Sequence, residues 1–314
     1  MTHQPQEALV EPDAVGLGPS GDDPGEGHES VRRRGGRFTG YWLMLPSALW
    51  LALFFLVPFY SLVAMSLYDP KGSNLTGYDM TWHVANYVDV LQAYWRPLLR
   101  SFWYAALATA ACLVLGYVLA YAIAFKAGRW KNLMLVLVIA PFFTSFLLRT
   151  LSWKLILADE GWIAEGLRTL QILGEDGRLL ATPFAVVAGL TYNFLPFMVL
   201  PLFASLDKID NRLVEAAGDL YASPARAFFK VTLPLSMPGV VAGTLLTFIP
   251  AAGDFINAEL LGSPNQRMIG NIIQNLFTNQ GDYAAAGALS MTLMIVITIG
   301  VVLYIRRAGT EDLV

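Results

Sequence analysis

Residues Glu215-Ala216-Ala217-Gly218-Asp219-Leu220-Tyr221-Ala222-Ser223-Pro224-Ala225-Arg226-Ala227-Phe228-Phe229-Lys230-Val231-Thr232-Leu233-Pro234-Leu235-Ser236-Met237-Pro238-Gly239 lead from one long apolar run, 183–206, into another, 237–260. A helix that crosses a bilayer needs about 20 largely apolar residues, and both runs reach that length. A polar loop held between two spans must lie on one side of the membrane, so this stretch reads as a membrane loop. Its pattern predicts two short helices. The first runs over Leu213 to Leu220 with apolar positions at helical spacing, and the second is capped by Ser223 with Pro224 at its first position. Pro234 and Pro238 then stop that helix and start the next span.

Working outward, six segments qualify as spans: 42–67, 101–125, 132–150, 183–206, 237–260 and 283–305. The fold class expected is all-α and polytopic. Of the 314 residues, 55% are hydrophobic and only 14% charged, well above the apolar share of a soluble domain. The net charge of -3 and the scatter of basic residues among apolar runs argue against a nucleic-acid surface and point to lipid as the surrounding partner. Cys112 is the single cysteine and sits inside an apolar run, which excludes an intrachain disulfide or a multi-cysteine metal site.

Residues 1–40 are rich in Gly, Pro, Asp and Glu and read as a disordered tail; 41–307 form the membrane domain with its loop at 207–235, and 308–314 a short second tail. The arginines before residue 42 suggest a signal peptide, but the following apolar stretch is too long and lacks a small-residue cleavage site, so it reads as an uncleaved first span. With the amino terminus inside, the cytoplasmic segments hold Arg32, Arg33, Arg34, Arg37, Lys126, Arg129, Lys131, Lys208, Arg212, Arg226, Lys230, Arg306 and Arg307, 13 of the 21 basic residues. The remaining eight are spread over longer outer stretches, which places both termini and the 207–235 loop in the cytoplasm. Segment 151–181, amphipathic around Trp162 to Leu173, is expected on the outer surface as one or two short helices. Prolines inside the spans (Pro46, Pro58, Pro141, Pro196, Pro201, Pro250) predict kinked helices without distinguishing a transporter from an inert bundle. An inverted repeat of the secondary-transporter kind does not stand out.

A loop whose alanines are flanked by Glu215, Asp219, Arg226 and Lys230 can insert into a groove on a partner while its charges fix the register; an ordinary amphipathic connection would look the same. Here the chain resembles the permease subunits of binding-protein-dependent ABC importers, which carry a Glu-Ala-Ala loop in this place, followed by Leu233-Pro234 and Pro238-Gly239 at family spacing. The resemblance implies the type I importer permease fold. It implies that Glu215, Ala216, Ala217, Asp219 and Leu220 form a coupling helix on a separate ATPase, with Tyr221 and Arg226 beside it. The family has Gly where this chain has Tyr221, at a turn whose left-handed backbone is costly for Tyr. Either the turn differs or Ala222 and Ser223 absorb it. Within the family, Pro141–Thr150, Thr191–Phe197, Pro250–Phe255, Leu260–Ser263 and Met268–Gln274 look like the spermidine/putrescine permeases.

No Gly-rich loop ending in Gly-Lys-Ser/Thr occurs, so the chain is not expected to bind ATP or any other cofactor, and the motor is another polypeptide. His3, His28 and His83 are too scattered for a metal or catalytic site. Asp254 is the carboxylate that stands out, because a charge in a span is costly and usually faces a cavity. On a continuous fifth helix it lies about 25 Å from Met237, in the outer third. It reads either as a counter-charge for an amine, assisted by Asn257 and Glu259, or as a cap for backbone donors freed near Pro250 and Gly253. Tyr192, Asn193 and Trp153 are further candidates for the solute path, since aromatic faces attract ammonium groups, with the interfacial aromatic belt as the alternative for Trp153. Arg149 would repel a polyamine and is expected to pair with an acid or reach for the surface.

The resemblance implies one half of a permease pair, the other half a paralogue, with two ATP-binding subunits and an extracytoplasmic solute-binding protein, in a bacterial plasma membrane. Polyamines are the expected cargo. Another small organic solute, or a motor-independent channel or scaffold, are the alternatives.

Overall fold

The structure, a computed structural model, describes residues 37–72, 77–174 and 176–308. Residues 1–36 of the expected tail, with Arg32, Arg33, Arg34, His3 and His28, and the segment from 309 lie outside the described residues; residues 37–40 and Ala308, also expected in the tails, are helical as the ends of the first and last helices. The chain divides into two compact units, 1–52 and 53–314.

Thirteen α-helices occur among the described residues: α1 (Arg37–Met65), α2 (Ala85–Tyr121), α3 (Lys131–Ile139), α4 (Phe146–Ile156), α5 (Trp162–Thr169), α6 (Pro183–Leu206), α7 (Asn211–Asp219), α8 (Pro224–Ala227), α9 (Leu233–Leu235), α10 (Met237–Ala252), α11 (Ile256–Leu261), α12 (Ile269–Asn275) and α13 (Tyr283–Ala308). Met44–Met65, Ala85–Lys126, Pro183–Leu206 and Tyr283–Arg307 are each long and apolar enough to cross a bilayer. Two bent pairs reach span length when taken together: Gly128–Phe143 with Phe146–Ile156, bent by 93°, and Pro224–Leu235 with Met237–Ala252, bent by 65°. Large apolar side chains such as Val114, Leu115 and Val118 on α2 and Ile299, Val302 and Leu303 on α13 are exposed, as lipid-facing positions must be.

At the centre of the larger unit, α2, α6 and α10 pack against one another. The sequence reason is a stripe of small residues on α2, where Ser101, Ala105, Ala108, Cys112, Gly116 and Ala120 are buried. Small side chains let helix backbones approach closely where lipid offers no hydrophobic driving force. Opposite them stand larger residues of α6, with Leu190, Met198, Val199 and Leu202 fully buried.

Three expected spans differ from the structure. The second starts at Ala85 rather than 101, because the helix continues past Pro97 with a kink: Tyr94 leaves helical geometry at φ -121°, near where the proline cannot donate to the preceding turn. The third is not continuous over 132–150. A short 3-10 turn at Ala140–Phe143 and extended backbone at Thr144 and Ser145 divide it, with Pro141 opening the break. The fifth is not continuous over 237–260 either, since α10 ends at Ala252 and the chain restarts as α11 at Ile256. The amphipathic helix expected near Trp162 is present as α5.

Candidate functional site

Two regions hold the residues singled out in the sequence. The first is the loop from α7 to α9. Asp210 caps α7 by accepting the Arg212 N–H at 3.0 Å, a cap the sequence reading missed although Asp is a strong N-cap residue. Ser223 caps α8, accepting the Arg226 N–H at 3.4 Å, with Pro224 at the first helical position as expected. Between the helices Tyr221 has φ +59°, so the tyrosine itself takes the left-handed turn position. The turn is closed by Ala222 N–H donating to Ala217 O at 3.0 Å and Tyr221 N–H donating to Gly218 O at 2.9 Å, the paired bonds of a Schellman cap. Of the two routes left open by the sequence, neither applies: the turn keeps its geometry and the neighbouring residues do not absorb it.

Glu215, Ala216, Asp219, Leu220, Tyr221 and Arg226 are exposed and Ala217 is half-buried. Leu213, Leu220 and Phe229 are exposed as well, and Tyr221 is 96% exposed. A short helix with so little of its surface covered has few contacts within the chain to hold it. The loop returns to the body at Ala227, which is buried, and at Phe228, whose ring meets the edge of Tyr117 with centroids 5.4 Å apart.

The second region is a buried polar seam where the two broken spans meet α6. Asp254 lies in the gap after α10, and its Oδ1 accepts the Asn257 backbone N–H at 2.8 Å and the Asn257 Nδ2 at 3.2 Å. It therefore caps α11 and is not held on a continuous helix. Asn257 Oδ1 accepts from Asn193 Nδ2 on α6 at 3.0 Å, and Asn193 Nδ2 also donates to Thr150 Oγ1 on α4 at 3.1 Å. Asn257 is fully buried, Asn193 1% exposed and Asp254 8% exposed. Buried polar groups of this kind are stable only when paired, and Asn193 Oδ1 is left without a partner. Across the gap, Asn271 on α12 donates to Phe255 O at 2.7 Å and to Glu259 Oε2 at 3.1 Å, so both carboxylates are braced by asparagines. Gly270 makes this closure possible: a Cβ there would stand 2.6 Å from Gly253 O and 3.0 Å from Asp254 O.

Of the expected solute-path residues, Asp254, Asn257 and Asn193 join one hydrogen-bonded chain, and Glu259 stands exposed beside it. Trp153 and Tyr192 pair with each other at 5.5 Å between centroids. Thr150, Asn271 and Gly270 were missed. Thr150 could have been found as the polar residue one turn before Trp153, whereas nothing local to residues 270 and 271 signals the gap they fill. Arg149 departs from expectation. It is 8% exposed, Nε and Nη1 have no hydrogen-bond partner, and among the described residues no carboxylate is within ion-pair distance. The faces of Phe142 and Phe146, at 4.8 and 5.5 Å, hold it by cation–π attraction instead.

A polytopic helical protein with two broken spans, a buried polar seam and an exposed helical loop is built as a membrane transport component. Residues 113–308 match the family described as binding-protein-dependent transport system inner membrane component, and the chain belongs to that family. It is 38% identical over 260 residues to the spermidine/putrescine transport system permease protein PotB of Escherichia coli (strain K12), covering 82% of this chain and 94% of that one. The PotB of Haemophilus influenzae is 36% identical over 262 residues, covering 82% and 90%. The inner membrane ABC transporter permease protein YdcU of Escherichia coli is 31% identical over 230 residues, covering 68% and 72%. The fold is similar to a chain of a bacterial ABC transporter involved in the import of the acidic polysaccharide alginate, with a TM-score of 0.65, 16% identity and coverage of 88% and 96%. A second structure of the alginate transporter, in complex with alginate pentasaccharide-bound periplasmic protein, gives a TM-score of 0.63 at 17% identity, covering 87% and 94%.

Proposed function

We propose that this chain is one permease subunit of an ATP-driven importer of polyamines, working with two copies of an ATP-binding subunit, a paralogous second permease and an extracytoplasmic solute-binding protein. The observation that carries the reading is the 211–235 loop. The Glu215-Ala216-Ala217 sequence falls on a short exposed helix, followed by a sharp turn and a rigid return into a bent span. Exposed Leu213, Leu220, Tyr221 and Phe229 give such a helix apolar contacts for a groove, and Glu215, Asp219 and Arg226 set its register. The loop then lies in the cytoplasm with both termini, ATP is hydrolysed by the partner, and this chain binds no cofactor.

Polyamine cargo is supported by relatives named for spermidine and putrescine that align over most of the chain. Asp254 and Glu259, with the Trp153–Tyr192 pair, supply the anionic and aromatic surfaces an alkylammonium chain prefers. Uptake of labelled spermidine and putrescine into a deletion strain complemented with this gene tests the cargo. Uptake that depends on the gene is expected, and uptake equal with and without it removes polyamines from the reading. Glu215→Ala tests the motor connection: the solubilised protein should retain less than about a tenth of the co-purifying ATPase if one buried charged contact is lost. Full retention together with full transport removes the docking role of the loop.

A further inference from the structure

The junction between the 211–235 loop and the helices of the membrane body is built from an unusual set of parts. Two of the three π-helical turns among the described residues flank it, joined through Tyr121: Ala122–Lys126, which closes α2, and Phe228–Thr232, which links α8 to α9; the third, Leu276–Gln280, lies after α12. Such turns are rare, and they collect at functional positions because they interrupt the regular hydrogen-bond ladder. Between them lies an aromatic cluster. Phe228 meets Tyr117 edge-on, at 5.4 Å and 81°, and Tyr121 at 6.2 Å and 70°. Tyr121 in turn packs on Phe125 at 4.8 Å.

One turn further along, the fifth span bends by 65° between Leu235 and Met237. The residue at the bend is Ser236, fully buried. Its hydroxyl lies 2.9 Å from Leu233 O and 2.7 Å from the Tyr117 hydroxyl. A serine hydroxyl has one proton, and Leu233 O can only accept, so Tyr117 is the donor to Ser236. Beyond the bend the foot of α10 is wedged on α6, since a Cβ at Gly239 would stand 2.7 Å from Pro201 O. The loop thus touches α2 at Phe228, α2 holds the elbow at Ser236, and the elbow continues into α10, whose far end opens onto the gap at Asp254.

We propose that Tyr117, Phe228 and Ser236 form a relay that converts displacement of the loop into a change of the elbow angle, and so into movement of α10 and α11 about the polar seam. The proposal rests on the reading of the loop as the motor contact. Tyr117 and Phe228 are positioning residues in this scheme: neither needs to touch solute or ATPase. Aromatic edge contacts transmit a push because close-packed rings cannot interpenetrate, whereas the single hydroxyl bond lets the elbow flex without leaving its seat.

The test uses the complete importer, with both permeases and the ATPase, reconstituted in proteoliposomes with loaded binding protein, and reads solute imported per ATP hydrolysed. Tyr117→Phe keeps the ring and removes the donor, and should lower that ratio about fivefold, the weight of one hydrogen bond, with hydrolysis retained. Phe228→Leu should lower it further, and Phe228→Tyr, which restores the edge, should recover most of it. A ratio unchanged in both Tyr117→Phe and Phe228→Leu overturns the relay, as does a parallel loss of hydrolysis and uptake, which would mark a purely structural role. Should Phe228→Leu fail to assemble, the Tyr117→Phe ratio decides. ATPase that still co-purifies with these variants while the ratio stays normal rejects the relay alone; absence of any co-purifying ATPase with the unaltered chain rejects the reading of the loop beneath it.

Discussion

The polar residues of this chain live under two opposite regimes. In the 211–235 loop, charged and apolar side chains stand exposed, and the secondary structure is secured by caps and a Schellman turn rather than by burial. In the seam between α4, α6 and α11, the polar groups are almost fully buried and pair mainly with one another, with Asn193 Oδ1 left unpartnered. Removing an exposed side chain such as Glu215 from the loop leaves the rest of the fold untouched, unlike Phe228 at its root, which packs on Tyr117. Removing one from the seam strands its neighbours in a place water does not reach. The first region is therefore free to serve a partner, and the second has to satisfy the fold before it can serve a solute.

The sharpest way to break this contrast is Asn257→Leu. The substitution takes away the acceptor of Asn193 and the side-chain donor to Asp254, while the backbone N–H at 257 stays on the carboxylate. Asn193 keeps its bond to Thr150 and Asp254 its backbone donor, so two buried hydrogen bonds of about 1 kcal/mol each are lost and a total of about 2 kcal/mol is expected, read as a lower unfolding midpoint in detergent. The loop variant Glu215→Ala should move that midpoint by less than about 0.5 kcal/mol. Equal shifts in the two variants would end the distinction between the regions.

How far each region could be read from sequence follows from the same contrast. Ser223-Pro224 announces its helix because a cap is a local device, and the continuous spans announce themselves by length and composition alone. The prolines marked the third and fifth spans as kinked, but not as divided, because the gap at 253–255 is stabilised by Asn271, Gly270 and Asn193, which are remote in sequence. Asp254 was legible as a costly charge with two readings, and the bond it accepts from the Asn257 N–H is of the capping kind expected near Pro250 and Gly253, although the pattern did not mark Ile256 as the helix start. The left-handed turn was legible as a problem at Tyr221 and was solved there by the tyrosine itself.

Arg149 sharpens the comparison from the other side, being a buried ion outside both hydrogen-bond systems. A buried ion without a counter-charge carries a desolvation penalty, which an apolar residue of similar length removes. Arg149→Met should accordingly leave the midpoint unchanged or raise it, with the sulfur side chain lying over Phe142 and Phe146 where the guanidinium now sits. A drop of about 3 kcal/mol would mean that the guanidinium has an ionic partner and that cation–π attraction is not what holds it.

The smallest effect is expected at Tyr221, and it separates two reasons for keeping a strained residue. A side chain in the left-handed region costs about 1–2 kcal/mol, and part of this is returned as lower chain entropy in the unfolded state. Tyr221→Gly should therefore stabilise the loop by no more than about 1 kcal/mol, seen as slower amide exchange at Ala222 and at position 221, whose N–H groups close the turn. The ring is 96% exposed and contributes nothing to the body of this chain, so its removal cannot weaken the fold. If the turn geometry is all that matters, uptake and hydrolysis stay within about twofold of the unaltered protein, since a glycine reproduces that geometry at lower cost. If uptake collapses while the loop becomes more protected, then the tyrosine is kept as a contact for the partner, and the strain at φ +59° is the consequence of placing an aromatic side chain at the tip of the loop.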